Sequence, residues 1–152
     1  MASKRYWLIK SEPETYGIEH LRKDKKTPWT GVRNYQARNF MQDDMNIGDP
    51  VLFYHSSCKV PGVYGSAKVA SAPYPDPTQF DDKSPYFEPR ATKANPIWYV
   101  VDIAYVSTFK VPVTLSDIRS NPKLRSMAIL QPGLRLSITP VSAENFAAIA
   151  PS

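Results

Sequence analysis

The sequence contains a single cysteine, Cys58, and only two histidines, His20 and His55. One cysteine cannot form an intramolecular disulfide framework, and neither an HExxH motif nor cysteines paired at metal-ligand spacing are present. We therefore expect no metal and no other cofactor. Because a chain without disulfides suits a reducing compartment, the sequence predicts a cytoplasmic protein.

Long apolar runs and glycine-rich loops are also missing. No run approaches the ~20 apolar residues that a membrane-spanning helix needs, and the N-terminus leads into a short strand-like run, unlike a signal peptide. The six glycines are scattered, so no phosphate-cradling loop is predicted. No GxSxG elbow occurs, and His55 and Cys58 stand too close on an extended segment to form a catalytic dyad. These absences argue against a membrane partner and against Ser–His or Cys–His catalysis.

The chain does have a basic excess concentrated in one quarter. The net charge of its 152 residues is +5, and residues 1–40 hold nine Lys or Arg against four acids, while the rest of the chain is neutral. Such a distribution is typical of proteins that bind a polyanion, because each neutralised phosphate releases counterions. The run Arg22–Lys26 could equally be a solvated loop that keeps the protein soluble. Charge alone leaves both interpretations open.

Hydrophobic patterning predicts one domain built on a small, mixed, closed sheet of five or six strands. Strands are expected at Arg5–Lys10, Val51–Ser56, Val63–Ala70, Ile97–Phe109 and Leu134–Thr139, and helices at Ile18–Lys23, Asn34–Met45, Thr114–Arg119 and Ser142–Ile149. In Ile97–Phe109 an apolar face is formed by five odd-numbered positions, which predicts a long central strand with that face buried; these are Ile97, Tyr99, Val101, Ile103 and Tyr105. Six prolines among residues 72–96 predict a long irregular excursion.

Trp29–Phe40 is the most informative segment, since a tryptophan and a flexible glycine precede a helix there. Asn34 and Arg38 share one face of that helix near its N-terminus, where free N–H groups and the helix dipole favour an anion. Trp29 offers a surface on which a nucleic-acid base could stack. The alternative is that Trp29 is a core residue beside a surface helix.

Two long motifs give the chain a family resemblance. Trp7-Leu8-Ile9-Lys10-Ser11-Glu12-Pro13 and the segment Trp29–Asn39 resemble the signature of EVE-domain proteins. Shorter matches continue along nearly the whole chain, at Gly48-Asp49, Val51–Ser56, Gly62–Gly65, Asp76-Pro77, Trp98–Asp102 and Leu130–Ser137. The resemblance implies an α+β fold of the PUA-like superfamily, a small mixed β-barrel with short flanking helices that is related to ASCH and YTH domains.

The resemblance also implies a concave pocket that reads a modified base in RNA or DNA. In the similar YTH domains a Lys-Ser pair closes the first strand, a tryptophan follows the next helix, and a later loop adds aromatics, where this chain has Tyr86-Phe87. On this basis we expect base recognition by Trp29, Asn34, Tyr35, Arg38, Ser56, Glu12 and Phe87, and anion binding by Lys10, Ser11 and Arg33. A methylated adenine and a modified cytosine are equally compatible with these residues.

Two other functions stay open. Some ASCH relatives resemble small amidohydrolases of modified nucleosides that use Lys, a hydroxyl residue and Glu, which Lys10-Ser11-Glu12 would supply. Neighbours on an extended strand alternate faces, so the three can converge only if the strand end bends. The proline-rich segment 72–96 could instead serve protein interaction. We expect a monomeric module that binds nucleic acid rather than an enzyme.

Overall fold

The computed structural model describes residues 5–133 and 136–150 of the protein. Its strands are β1 (Tyr6–Ser11), β2 (Lys26–Pro28), β3 (Pro50–His55), β4 (Gly62–Val69), β5 (Tyr74–Pro75), β6 (Tyr99–Val100), β7 (Asp102–Thr114) and β8 (Ile138–Val141). Its α-helices are α1 (Pro13–Tyr16), α2 (Ile18–Asp24), α3 (Tyr35–Asn39), α4 (Leu115–Ser120) and α5 (Ala143–Ile149). A π turn at Phe40–Asp44 extends α3, and 3-10 turns lie at Pro77–Phe80, Pro122–Leu124 and Ala128–Leu130.

Six of these strands form one mixed sheet in the order β2-β7-β4-β3-β1-β8. β1 pairs in parallel with β3, and all the other neighbours in this sheet are antiparallel. The sheet curls into a half-barrel whose order ends at β2 and β8, while β5 and β6 form a separate two-stranded ribbon. The expectation of a mixed sheet of five or six strands with short helices is confirmed, but the expected closure is not, since β2 and β8 do not pair in the described residues.

Alternation along the central strands divides the core into two clusters. Trp7 and Ile9 on β1 belong to a cluster that α2 and α3 cover, whereas Leu8 between them belongs to a cluster that α4 and α5 cover. Because β1 and β3 are buried on both faces, they appear in the sequence as uninterrupted apolar runs. Trp29 packs against the first cluster, so the candidate site lies on that side of the sheet.

The strand predicted at Ile97–Phe109 is divided in two. Val101 separates β6, which pairs with β5, from β7, which lies between β4 and the edge strand β2. The expectation of one long central strand is therefore wrong in both continuity and position. β7 nevertheless contains 13 residues and pairs along much of its length with β4.

The alternation predicted for this strand is also interrupted. Val101 and Ile103 are buried as expected, but Tyr99 and Tyr105 are only half-buried. Register shifts interrupt the pairing of β4 with β7, and a bulge moves the residues beyond it to the opposite face. As a result Ile103 packs in the first cluster and Phe109 in the second.

The helix starts agree with the capping residues in the sequence. The Asn34 side chain accepts a hydrogen bond from the Ala37 N–H at 3.0 Å, and Thr114 forms a capping box with Asp117. The Ser142 side chain caps α5 by accepting a hydrogen bond from the Asn145 N–H. The last strand begins at Ile138, and positions 134 and 135 of its predicted range lie outside the described residues.

Residues 72–96 form a long excursion that is irregular apart from the short strand β5 and one 3-10 turn, and a buried glutamine anchors it. The Gln79 side-chain oxygen accepts hydrogen bonds from the N–H groups of Ile97 and Trp98, both at 2.9 Å. Its amide nitrogen donates to the carbonyls of Asp76 and Trp98 at 2.9 and 2.7 Å. The start and the end of the excursion are thereby fixed to each other.

Candidate functional site

A pocket of about 680 Å³ opens between the end of β1 and the segment that leads from β2 into α3. Four parts of the chain contribute to its wall. The lining residues are Lys10, Ser11, Glu12, Thr15, Tyr16, Thr27–Asn34, Tyr86 and Ser137. A recess of this size is typical of sites that hold a small molecule or a single nucleotide group.

Trp29 is half-buried in the wall of this pocket. Its backbone N–H donates to the Val101 carbonyl at 3.0 Å. Its ring packs edge-to-face with Phe53 at a centroid distance of 5.7 Å and with Tyr16 at 6.0 Å. Edge-to-face contacts of this kind fix the plane of an aromatic ring. Trp29 therefore packs against the core and also lines the pocket, and base stacking on it stays a prediction.

Tyr16 supports Trp29 from the side of α1. Its hydroxyl donates to Asp24 at 2.8 Å, and its ring stacks on His20 with centroids 5.5 Å apart. Burial and the hydrogen bond to Asp24 raise the pKa of Tyr16 to about 12, so this hydroxyl stays protonated at neutral pH. Sequence reasoning missed Tyr16 because α1 is a single turn, too short for periodicity to reveal.

The chain bends where β1 ends. Ser11 is the last residue of the strand, and Glu12 is the N-cap residue of α1, still extended with φ −84° and ψ 119°. Lys10, Ser11 and Glu12 all line the pocket. Within the described chain, however, the Ser11 hydroxyl donates to the neutral carbonyl of Tyr16 and has no side-chain base as partner.

A fully buried carboxylate, Asp76, joins the two loops that form the outer wall. It accepts hydrogen bonds from the Gly31 N–H at 2.9 Å, from the Arg33 guanidinium at 3.1 Å, and from both the N–H and the hydroxyl of Thr78. Burial alone would raise the pKa of Asp76, but the hydrogen bonds from Thr78, Gly31 and Arg33 outweigh it and hold this pKa below 3.8. The sequence signal for Asp76 was its position before Pro77, where it caps a 3-10 turn.

Arg33 lines the pocket, but its charge is already engaged. Besides its ion pair with Asp76, it donates to the Thr78 hydroxyl at 3.2 Å and to the Tyr86 carbonyl at 2.6 Å. The guanidinium carbon also lies 5.5 Å from the centroid of the Tyr86 ring. Arg33 therefore holds the excursion against the pocket, and its expected role as an anion ligand loses its geometric support.

The excursion contributes Tyr86 to the pocket. The Tyr86 ring lies so close to Gly31 that a Cβ atom added there would sit 2.7 Å from it, and Gly31 has φ +84°. Phe87, the residue expected in the site, is exposed and does not line the pocket. Of the two neighbouring aromatic residues, Tyr86 is the one that lines the pocket.

Tyr35 and Arg38 do not line the pocket either. The Tyr35 ring stacks on Trp98 at a centroid distance of 4.9 Å. The Arg38 guanidinium carbon lies 4.8 Å from the Tyr35 ring centroid, and the guanidinium donates to the Ile97 carbonyl at 3.0 Å. Asn34 meets the pocket because it precedes the helix as its N-cap, with extended φ −123° and ψ 127°, whereas Tyr35 and Arg38 lie within α3 and face Trp98.

Ser56 lies beyond the pocket as well. Its N–H donates to the Ser11 carbonyl at 2.9 Å and continues the pairing of β1 with β3. The preceding residue, His55, is buried and accepts a hydrogen bond at Nε2 from the Ile18 N–H at 3.1 Å. Burial lowers the pKa of His55 below 6.5, so it serves as a neutral structural acceptor that ties α2 to β3.

Neither a metal-binding cluster nor a membrane-spanning helix is found in residues 5–133 and 136–150. No three His, Cys, Asp or Glu side chains in this part of the chain come together in a way that could hold a metal ion. None of the helices described there has the length and apolar character to cross a membrane.

Comparison with known proteins places this fold among described relatives. The model of the EVE domain family matches residues 5–151. Thymocyte nuclear protein 1 of Homo sapiens is 39% identical over 160 residues, an alignment that covers 93% of this chain and 70% of that protein. The Gallus gallus protein of the same name is also 39% identical, with 65% of its length covered. The chain thus spans about two thirds of the length of these relatives.

Solved structures show the same architecture. A hypothetical protein from Leishmania major superimposes with a TM-score of 0.91 at 46% identity, covering 96% of this chain and 92% of that one. Human THYN1 protein, in complex with DNA containing 5-methylcytosine, superimposes with a TM-score of 0.87 at 37% identity, covering 94% of each chain. The expected PUA-like fold class is confirmed.

Proposed function

The chain belongs to the EVE domain family, and on that premise we propose that it binds nucleic acid and reads a modified base in its pocket. The observation that carries the proposal is the convergence of two aromatic side chains, Trp29 and Tyr86, with the polar end of β1 in one recess. The human relative whose structure contains 5-methylcytosine DNA makes such DNA the first ligand to test.

The lining side chains match the chemistry of a cytosine. Trp29 and Tyr86 offer ring faces for stacking, which is worth about 1–3 kcal/mol per base. The Glu12 carboxylate is an acceptor suited to the exocyclic amino group of cytosine. The Lys10 ammonium and the Asn34 amide nitrogen are donors for the ring nitrogen and carbonyl of the base, since the Asn34 oxygen is already used in capping α3.

Replacing Glu12 by Gln tests this assignment at the edge of the base. We expect Glu12→Gln to weaken binding of a short DNA duplex with one 5-methylcytosine by ~1–3 kcal/mol, because an amide is a poorer acceptor for the amino group. Glu14→Gln is the matched control, since Glu14 is an exposed carboxylate on α1 outside the pocket lining. Fluorescence anisotropy of labelled duplexes measures both affinities. Equal affinities of the two variants would remove Glu12 from the site.

An amidohydrolase of modified nucleosides is the second candidate function, and one observation favours it. Lys10, Ser11 and Glu12 all line one pocket. The engagement of the Ser11 hydroxyl with a carbonyl weighs against a nucleophilic role. Mass spectrometry after incubation with modified nucleosides separates the two functions. A hydrolysed product that disappears in Ser11→Ala would establish the enzyme, whereas a bound and unchanged base supports the reader.

A further inference from the structure

The edge strand β2 connects the pocket to the most basic turn of the chain. Thr27 and Pro28 on β2 line the pocket. Before them come three exposed lysines, Lys23, Lys25 and Lys26, which we call the turn lysines. Lys25 adopts a left-handed φ of 69° at the end of α2 and reverses the chain into β2. The turn lysines are therefore displayed next to the wall of the pocket.

The acidic residues of this turn already have partners. Glu19 pairs with Arg22 at 2.6 Å, and Asp24 accepts the hydroxyl hydrogen bond of Tyr16 at 2.8 Å. In the described part of the chain, the turn lysines form no ion pair. Their charge is thus available to a ligand.

Other cations of the basic first quarter are used within the fold. Arg33 is paired with the buried Asp76. Arg38 lies against Tyr35 and donates to the carbonyl of Ile97. The basic residues of this quarter therefore include arginines engaged within the fold and lysines that face solvent beside the pocket.

We propose that the turn lysines bind backbone phosphates flanking the base held in the pocket. This inference rests on the proposed function. Three residue steps of ~3.3 Å along extended chain separate Lys26 from Trp29, a distance of about 10 Å. One strand of a duplex carries a phosphate per ~3.4 Å of axis, so the turn lies within about three nucleotide steps of the base. Lysine is a flexible point charge that suits phosphate contacts and carries no base specificity.

The test removes the three positive charges of the turn lysines and compares the effect on binding with the removal of three positive charges elsewhere on the protein. The turn variant is Lys23→Gln/Lys25→Gln/Lys26→Gln. The control variant, Lys110→Gln/Lys123→Gln/Arg125→Gln, removes three exposed cations that do not line the pocket. Both are titrated between 50 and 200 mM salt with a short duplex carrying one 5-methylcytosine and with its unmodified counterpart. Thermal melts of both variants should match the wild-type protein, because all six side chains are exposed.

If all three turn lysines contact phosphate, the turn variant loses ~2.7 from the slope of log affinity against log salt, at ~0.9 per contact. Between 50 and 200 mM salt, the fold-loss of affinity is then about 40 times smaller for the turn variant than for the wild-type protein. Both duplexes should be weakened equally, so the preference for the methylated duplex stays unchanged. The control variant should keep the wild-type slope.

Three results would overturn the inference. If the turn variant keeps the wild-type slope of log affinity against log salt while Trp29→Ala still weakens binding, this inference is wrong and the proposed function stands. Loss of binding to phosphatidylserine vesicles with full retention of duplex binding would assign the turn lysines to an anionic membrane surface instead. Absence of any duplex binding by the wild-type protein would remove the proposed function and this inference together.

Discussion

At the residue scale, Asp76 organises the site without facing the pocket as a ligand. It is fully buried, and its oxygens accept four hydrogen bonds from three residues in the two loops that carry Trp29 and Tyr86. Removing one member of such a pair is costly, because the remaining buried donors lose their acceptor. The arrangement of the two loops in the outer wall therefore depends on the ionised carboxylate of Asp76.

Asp76→Asn should lower the free energy of unfolding by at least ~2 kcal/mol at neutral pH, as measured by urea denaturation. Because the folded-state pKa of Asp76 lies below 3.8, its contribution is full above that pH and is lost as the pH falls through the folded-state pKa. The variant should consequently lose less stability than the wild-type protein on acidification below pH 3.8. The exposed Asp82 provides the control, and Asp82→Asn should keep the acid dependence of the wild type. Parallel acid curves for wild type and Asp76→Asn would contradict this account.

At the scale of the elements, the contact of Gly31 with Tyr86 joins the loop after β2 to the excursion. Gly31→Ala should destabilise the protein by ~1–2 kcal/mol through its positive φ, and it should also displace the Tyr86 ring and weaken binding. Gly48→Ala is a matched control, because Gly48 has φ +94° but no atom within 4 Å of an added Cβ. Melting curves and duplex titrations compare the two. If both variants bind equally well, Tyr86 is not part of the site.

Several elements could be predicted because their signals are local. The caps at Asn34, Thr114 and Ser142 each depend on residues within three positions along the chain, and all three begin helices. The course of β7 could not be predicted, since its bulges depend on pairing with β4, a distant segment. The choice of Tyr86 over Phe87 depends in the same way on its packing against Gly31, 55 positions earlier.

At the scale of the whole molecule, the sequence predicted the fold class, and six of the ten expected site residues line the pocket. Lys10, Ser11, Glu12 and Trp29 line it because the motifs that carry the family resemblance also carry the bend after β1 and the turn at Gly31. The arginines were assigned from charge, from the helix face that Arg38 shares with Asn34, and from the family resemblance, and none of these shows which cations the fold uses internally. The structure distinguishes cations engaged within the fold from cations open to solvent: Arg33 pairs with the buried Asp76, whereas the turn lysines are exposed.

The most direct test of the account is a titration of wild-type protein and Trp29→Ala with a short duplex containing 5-methylcytosine and with its unmodified counterpart. Circular-dichroism melts confirm that the variant is folded at the temperature of the titration. We predict that the wild-type protein prefers the methylated duplex. Trp29→Ala should weaken binding of that duplex by ~1–3 kcal/mol, about tenfold to a hundredfold, through the loss of stacking. A Trp29→Ala variant that melts at a lower temperature but binds both duplexes like the wild type would show that Trp29 is only a core residue, and would contradict the account.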